Sequence, residues 1–379
     1  MEFRITEEEK ELREKVRRIA EDFIRPRAKE IDETDEVTWD LIEKLAEEGI
    51  FRLVVPKEYG GITEKVMSTN ICIVREELSK VSSNADAFFA MQGLTSYPIV
   101  VAGTEEQKKK YLPMLAKGEK LGSYAVTEPH AGSDVGNMTT EAVLDGDEYV
   151  LNGKKAFITN AAHAGIYTVF VKTSMDKGSR GISTFIIEEG TPGFRCLGTQ
   201  EMMAPHALGE LEFKNCRIPA TNIVGEVDKG FKTAMMTFDV YRTSVGACAL
   251  GFAQAAFDLA VEYAKERTAF GKPLTDFQVS RFKIADMAVD LDAARLLVYR
   301  AAWLKDSGAA RVTKEASMAK LFATEAACRV VDEALQMHGG RGMLKGTNIE
   351  RLYRQVRGSR IYEGTSEIQR TVISGMILS

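Results

Sequence analysis

The stretch YVLNGKKAFIT, residues 149–159, decides how this chain is read. Two short apolar runs flank Asn152-Gly153, and an Asn-Gly pair between such runs is the strongest short-range hairpin signal. A hairpin turning at Asn152-Gly153 is therefore expected. The runs IYTVFVKT, ISTFIIEEG and GELEFKNCRIP that follow are β-branched or aromatic and are punctuated by Gly and Pro. Together they mark a small β domain over residues 121–225.

Helical patterns lie on both sides of it. In TEEEKELREKVRRIAEDFIRP, Leu12, Val16, Ile19 and Phe23 fall on one helical face. Thr6 followed by Glu9 forms a capping box, and Pro26 breaks the pattern. TWDLIEKLAEEGI repeats the theme, with Leu41, Leu45 and Ala46 inward and Gly49 as the stop. Beyond residue 226, DFQVSRFKIADMAVDLDAARLLVYRAAWLKDSG keeps Phe277, Ile284, Met287, Leu291, Ala294 and Val298 in helical register until Gly308. So long a pattern fits a bundle helix packed against others. AKLFATEAACRVVDEALQMHGG is a further helix, stopped by Gly339-Gly340. The expected fold is mainly α with an inserted β domain: helical over 1–120, β over 121–225, helical over 226–379.

Composition excludes several classes. A chain of 379 residues predicts two or three domains. The net charge of −5 argues against a nucleic-acid binder, which carries a basic face. The basic run Lys108-Lys109-Lys110 reads as a solvated helix face. Five widely spaced cysteines without a C-x-x-C pair read as reduced thiols. Four histidines without H-x-x-x-H spacing propose no metal site. The N-terminus lacks a signal-peptide core, and no run approaches the ~20 apolar residues of a membrane span, so a cytoplasmic location is expected.

The usual nucleotide and hydrolase signatures are missing. There is no G-x-x-x-x-G-K-[ST] loop and no G-x-S-x-G elbow, and HGGRGMLKG follows a helix rather than a strand. Four other stretches stand out: YAVTEPHAGSDVG (124–136), KKAFITNAA (154–162), ERTAFGKPLTDFQ (266–278) and YEGTSEIQR (362–370). Singly, each has a bland reading: a domain-connecting loop, a buried strand, a helix-helix turn, and a helix start capped by Thr365.

Together they resemble the acyl-CoA dehydrogenases from end to end. GTEEQKKKYLPMLAKGEKLGSYAVTEPHAGSDV is similar to the family's first signature, and QMHGGRGM with RLYRQVRGSRIYEGTSEIQ to its C-terminal one. Among members the chain looks closest to bacterial enzymes for short, medium, branched or cyclic acyl-CoAs. The resemblance implies a β-barrel-like middle domain, a C-terminal four-helix bundle, bound FAD and a homotetramer built as a dimer of dimers. It implies α,β-desaturation of an acyl-CoA thioester, with electrons passed to an electron-transferring flavoprotein. The same site run as an enoyl-CoA reductase, an acyl-CoA oxidase, and a scaffold without turnover are the alternatives. The chain has dehydrogenase rather than oxidase length.

Carried over by position, the resemblance makes Glu363 the base that removes the α-proton while the β-hydride goes to flavin N5. In the family the backbone N–H of that glutamate helps bind the thioester carbonyl, and Gly364 permits the close approach. A minority of members place the base at a position matching Tyr241, and nitroalkane oxidases use aspartate at the Glu363 position; Tyr241 and Glu363 here both favour Glu363. FAD contacts are implied for Tyr124, Val126, Thr127, Gly132, Ser133, Phe157, Thr159, Gln278, Gln336, Gly340, Thr365 and Glu367. Arg267 and Phe270 are implied to reach the FAD of a neighbouring subunit. CoA contacts fall on Ser133, Asp239 and Arg242, although the last two also fit a local i, i+3 ion pair. Phe88, Phe89 and Met91 lie where the family lines its acyl pocket, and they equally fit core packing. Two departures are His130, where glycine is usual, and Pro205-His206, which replace the family's common Arg-x-Ser stretch.

Overall fold

The structure is a computed structural model that describes residues 6–378. In chain order the helices are α1 (Glu7–Arg18), α2 (Ala28–Asp32), α3 (Trp39–Glu47), α4 (Ser68–Ser79), α5 (Ser83–Ala102), α6 (Glu105–Ala116), α7 (Gly230–Glu266), α8 (Gln278–Asp306), α9 (Thr313–His338), α10 (Asn348–Gly358) and α11 (Ser366–Leu378). The strands are β1 (Gly122–Ala125), β2 (Glu141–Asp145), β3 (Glu148–Thr159), β4 (Ile166–Lys172), β5 (Ile182–Glu188), β6 (Phe194–Thr199), β7 (Leu208–Pro219), β8 (Thr268–Ala269) and β9 (Lys272–Pro273). The chain divides into two compact units. One holds the stretch ending at Asp32, Ser68–Asp86 and everything from Asp239 onward; the other holds Glu33–Met67 and Ala87–Phe238.

The first unit is helical. Thr6 caps α1 through the predicted box, its side chain accepting from the Glu9 N–H while Glu9 accepts from the Thr6 N–H. The predicted inward face then shifts. A π-helical turn over Ile19–Ile24 inserts one residue into the register, so Ile24 is buried where Phe23 was expected. The core is made by α7, α8 and α9, with Met287, Leu291, Ala294 and Val298 of α8 buried against small residues of its neighbours. Gly308, at φ 85°, lies just past the end of α8.

One expectation needs correcting here. Among the described residues α7 is long and apolar enough by composition to cross a membrane. Its apolar residues are largely small, and Ala247, Cys248, Ala249, Leu250, Phe252 and Ala253 lie in the helical core. The helix is apolar because it is packed on several sides.

The second unit carries a seven-stranded sheet in the order β1-β4-β2-β3-β7-β6, with β5 also pairing β4. β4 is buried along its whole length, as its unbroken run Ile166–Lys172 requires. The hairpin predicted at Asn152-Gly153 is not there. β3 runs straight through those residues, and the β2–β3 turn lies at Gly146-Asp147, with Asp145 paired to Glu148. Gly146, at φ 68°, supplies the positive φ at the first of the two loop residues. Gly153 serves another purpose. It sits at a register shift between β3 and β7, at φ 143°, where a Cβ would come within 2.6 Å of the Thr140 Cα. Its glycine marks a close backbone approach rather than a turn. On the other side of this unit, Gly49 ends α3 in the left-handed conformation, as predicted. Leu41 and Leu45 face inward there, whereas Ile42 is buried and Ala46 only partly so.

Candidate active site

In the helical unit, α10 ends at Gly358 and α11 begins at Ser366. Tyr362–Thr365 form the turn between them. Thr365 accepts from the Ile368 N–H, so the helix-boundary reading of this stretch is correct. The boundary nevertheless holds a carboxylate in unusual surroundings. Glu363 has φ 54°, and Gly364 follows at φ 94°. A Cβ on Gly364 would come within 2.7 Å of Gln369 Nε2, which donates to the Glu363 and Gly364 carbonyls at 3.2 and 2.9 Å.

Cations from three helices surround this turn. Arg242 of α7 donates from Nε to the Glu363 carbonyl at 3.3 Å. Lys320 of α9 donates to the Gly364 carbonyl at 2.8 Å. Arg75 of α4 places Nη1 3.9 Å from Glu363 Oε1. The Glu363 side chain is 11% exposed, and its Oε2 is buried with no hydrogen-bond partner. Its backbone N–H has none either among the described residues. Burial pushes the carboxyl above its ordinary range, opposed by Arg75, Lys320 and Arg242 and assisted by Asp86. Burial also brings Lys320 down to about 8, against the pull of Glu363. A destabilised carboxylate with one unpartnered oxygen, beside an unpartnered N–H, has the features of a general base next to a hydrogen-bond donor.

The β unit assembles a different group. β3 bulges between Lys155 and Ile158, opposite Leu211 and Gly209 of β7. The bulge turns Phe157 outward at φ 58° and 60% exposed, with its N–H donating to the Gln200 side chain at 2.9 Å. The adjacent Ala156 N–H donates to the Thr127 carbonyl at 2.9 Å. Ser123 donates to the Thr159 carbonyl at 2.8 Å. The motifs around 124–136 and 154–162 are thus brought together. Tyr124 and Val126 pack against a small core containing Phe170 and Phe238, and Gly132 and Ser133 are exposed in the loop that follows. Beneath the loop, Lys155 meets Glu128 at 2.8 Å. His206 Nε2 lies 3.0 Å from Thr159 Oγ1, and His130 lies 3.6 Å from Glu128.

The remaining predicted residues lie at element ends. Arg267 precedes the β8–β9 hairpin, and Phe270 stands at its tip, 97% exposed at φ 50°. Gln278 opens α8, Gln336 and Gly340 flank the end of α9, and Glu367 lies in the first turn of α11; all four are exposed. Asp239 accepts from Thr313 at 3.1 Å, and burial pushes its carboxyl up. Tyr241 is fully buried. Phe88 and Phe89 are buried side chains of α5, and Met91 is partly so.

Six described non-glycine residues have positive φ. Three are Asn160, Asn215 and Asp228, residue types that tolerate it. The other three are Phe157, Phe270 and Glu363, each in one of the four stretches singled out in the sequence. Strain at non-glycine positions collects at functional sites, at about 1–3 kcal/mol each. Within the β unit, an exposed aromatic on a bulge and an exposed glycine-serine loop fit the flat ring and the phosphates of a dinucleotide.

Profiles of the acyl-CoA dehydrogenase N-terminal, middle and C-terminal domains match residues 6–119, 123–216 and 228–378. The chain belongs to the acyl-CoA dehydrogenase family. It has that family's fold and is an FAD-dependent oxidoreductase. It is 44% identical to the 3-(aryl)acrylate reductase of Clostridium sporogenes, over 98% of this chain and 99% of that one. It is 43% identical to the caffeyl-CoA reductase-Etf complex subunit CarC of Acetobacterium woodii, over 96% and 97%. Butyryl-CoA dehydrogenase from Megasphaera elsdenii superimposes with a TM-score of 0.96 at 39% identity, over the whole of both chains.

Sequence reasoning missed Arg75, Asp86, Lys320 and Gln369, which surround Glu363, and passed over Glu128 and Lys155 inside two stretches it had quoted. The available signal was a charge run, Arg75-Glu76-Glu77, entering directly from the apolar Ile71–Val74 in a helix with almost no exposed face.

Proposed function

We propose that this enzyme desaturates acyl-CoA thioesters at the α,β-bond, with Glu363 as the base. The supporting observation is the Glu363 turn: a positive φ, a buried Oε2 without a partner, and a free backbone N–H beside it. Glu363 takes the α-proton, while its N–H binds the thioester carbonyl and stabilises the developing enolate. Bound FAD supplies the acceptor for the β-hydride at flavin N5. Tyr124, Val126, Thr127, Gly132, Ser133, Phe157, Thr159, Gln278, Gln336, Gly340, Thr365 and Glu367 hold it, with Arg267 and Phe270 reaching the cofactor of a second copy. Ser133, Asp239 and Arg242 bind CoA, and Gly364 admits the thioester. Phe88, Phe89 and Met91 bound an acyl site suited to short, branched or cyclic groups.

A second reading runs the site as an enoyl-CoA reductase, with Glu363 delivering the α-proton. Two relatives with reductase names at 44% and 43% identity favour it. In either direction the electron partner is an electron-transferring flavoprotein, a proposal supported by the Etf complex in one relative's name. A homotetramer is supported by an apolar stripe along α8: Val279, Phe282, Val289, Leu296 and Trp303 recur at three- and seven-residue steps and are 40–69% exposed. The three-part division at 120 and 225 and a cytoplasmic location complete the proposal; all five cysteines are free, as a reducing compartment predicts.

Anaerobic addition of straight, branched, cyclic and aryl acyl-CoAs tests the direction. Bleaching of the flavin band by a saturated thioester supports dehydrogenation. Reoxidation of reduced enzyme by an enoyl-CoA, without bleaching by any saturated thioester, selects the reductase. Glu363→Gln should retain FAD and thioester binding and slow flavin reduction by about 10²–10⁴-fold. A near wild-type rate in that variant would remove Glu363 from the mechanism.

A further inference from the structure

Arg75 lies in the helical unit, buried, and nothing in the reaction scheme above uses it. Its contacts are fully committed. Nε and Nη2 donate to the two Asp86 oxygens at 2.8 Å each, and Nη1 donates to Ser244 Oγ at 2.9 Å. Arg75 and Asp86 are 3% and 4% exposed. Such a pair is weak evidence of a stabilising role, because the cost of removing both charges from water offsets most of the attraction. The fork on Asp86 does something else: it fixes the guanidinium plane. Nη1 is thereby held 3.9 Å from Glu363 Oε1, close enough for charge and beyond a hydrogen bond.

We propose that Arg75 is a positioning residue for Glu363, a cation held at a fixed distance by Asp86 and Ser244 so that it favours the ionised carboxylate without occupying it. The proposal rests on Glu363 being the proton-transfer group. Two errors are avoided by this arrangement. With no cation nearby, burial favours the protonated carboxyl, the form that cannot act as a base. With a direct salt bridge, its oxygens would be engaged and its basicity lost. An arginine tied on its other side gives the intermediate case, and it leaves Oε2 unpartnered. Lysine could not replace it, because an ammonium cannot grip Asp86 with a planar fork.

The other groups facing Glu363 do not duplicate this role. Lys320 and Arg242 also favour the ionised carboxylate, each less than Arg75 does, and each is spent on a backbone carbonyl, of Gly364 and of Glu363, so neither is a cation held off the carboxylate by an anion of its own. Cys248 of α7 lies 4.0 Å from the Tyr362 hydroxyl, and burial pushes its thiol up, so it stays neutral. Asp86 is the anion that acts most on Glu363, in the direction opposite to Arg75.

Opposite signs give the test. The protonation of Glu363 can be read from its carboxyl infrared band in a pH titration of the holoenzyme, with Glu363→Gln as the subtraction. Arg75→Gln should raise the midpoint by about one unit or more, the usual effect of losing an opposite charge at this distance. Asp86→Asn should lower it, since it removes the anion and leaves the cation. Arg75→Lys should fall between wild type and Arg75→Gln. If Arg75→Gln does not fold, the double variant Arg75→Gln/Asp86→Asn removes the pair as a neutral whole and should still raise the midpoint, because Arg75 acts on Glu363 more strongly than Asp86 does. A purely structural pair would move both single variants the same way or neither, and that result overturns the proposal. The acid limb of the flavin-reduction rate against pH should follow the band. If the band moves as expected but the limb does not, Arg75 does set the Glu363 charge, and it is the assignment of Glu363 as the base that fails.

Discussion

Lys155 and Glu128 meet at 2.8 Å in the β unit, and Arg75 and Asp86 meet at 2.8 Å in the helical unit; all four side chains are 4% exposed or less. The surroundings of the two pairs differ. Glu128 also accepts from the Thr139 and Thr140 N–H groups at 2.6 and 3.0 Å, and Lys155 also donates to the Val126 carbonyl at 3.0 Å. Burial pushes Glu128 up, but Lys155 and the two amides outweigh it and bring the carboxyl down to about 2. Every interaction of that pair closes on the loop from 126 to 140, so it acts as a clamp. The Arg75 pair leaves one side of its cation facing a carboxylate that it does not bond. The comparison teaches that a buried pair with saturated partners fixes a backbone, whereas a pair with one open side projects charge onto a neighbour.

The largest expected effect comes from breaking either pair on one side. Lys155→Met and Arg75→Met each strand a buried carboxylate and should cost about 3–5 kcal/mol in denaturant unfolding. The comparison breaks if Lys155→Met moves the Glu363 band or Arg75→Met leaves it in place. Next comes backbone space. Gly153→Ala places a Cβ within 2.6 Å of Thr140 Cα, beside the amide that Glu128 accepts from, whereas Gly146→Ala meets nothing within 4 Å. Gly153→Ala should cost more than about 2 kcal/mol and Gly146→Ala about 1 kcal/mol, both read by thermal or denaturant melts.

Acid is a finer probe. Glu128 has a folded-state value of about 2, below its ordinary 4.5, so the unfolded chain binds the proton more readily. The contribution of Glu128 to stability is therefore present above about 4.5 and is lost as pH falls from there toward 2. Wild type should lose stability across that window faster than Glu128→Gln, and parallel losses would remove Glu128 as the clamp. The smallest effect is expected at His130, exposed and 3.6 Å from a Glu128 already saturated by other donors. His130→Gly should change stability by less than about 0.5 kcal/mol.

Much of this was legible along the chain. The capping box at Thr6, the stop at Gly49, the buried stripe of α8 and the runs that became β4, β5 and β7 follow from local pattern, because a helix or strand face is written at a fixed period. The three stretches that hold Phe157, Phe270 and Glu363 were also visible, since turn formers and unusual pairs collect where backbone is forced. The hairpin reading failed at Asn152-Gly153 because glycine answers two needs, a turn and a close approach, and only the packing of Thr140 against β3 tells them apart. The expectation that no run is apolar enough to span a membrane failed at α7, whose many small apolar residues escape notice singly and are covered by other helices.

The sequence by itself determined the elements, the family and the carboxylate at 363, because each depends on residues near one another in the chain. Tertiary structure alone decided what that carboxylate feels. Arg75 and Lys320 stand 288 and 43 positions before it, and only the packing of α4 and α9 brings their charges within reach. The energy of an ionised group depends on distance and burial, and neither is encoded at the residue that carries the charge.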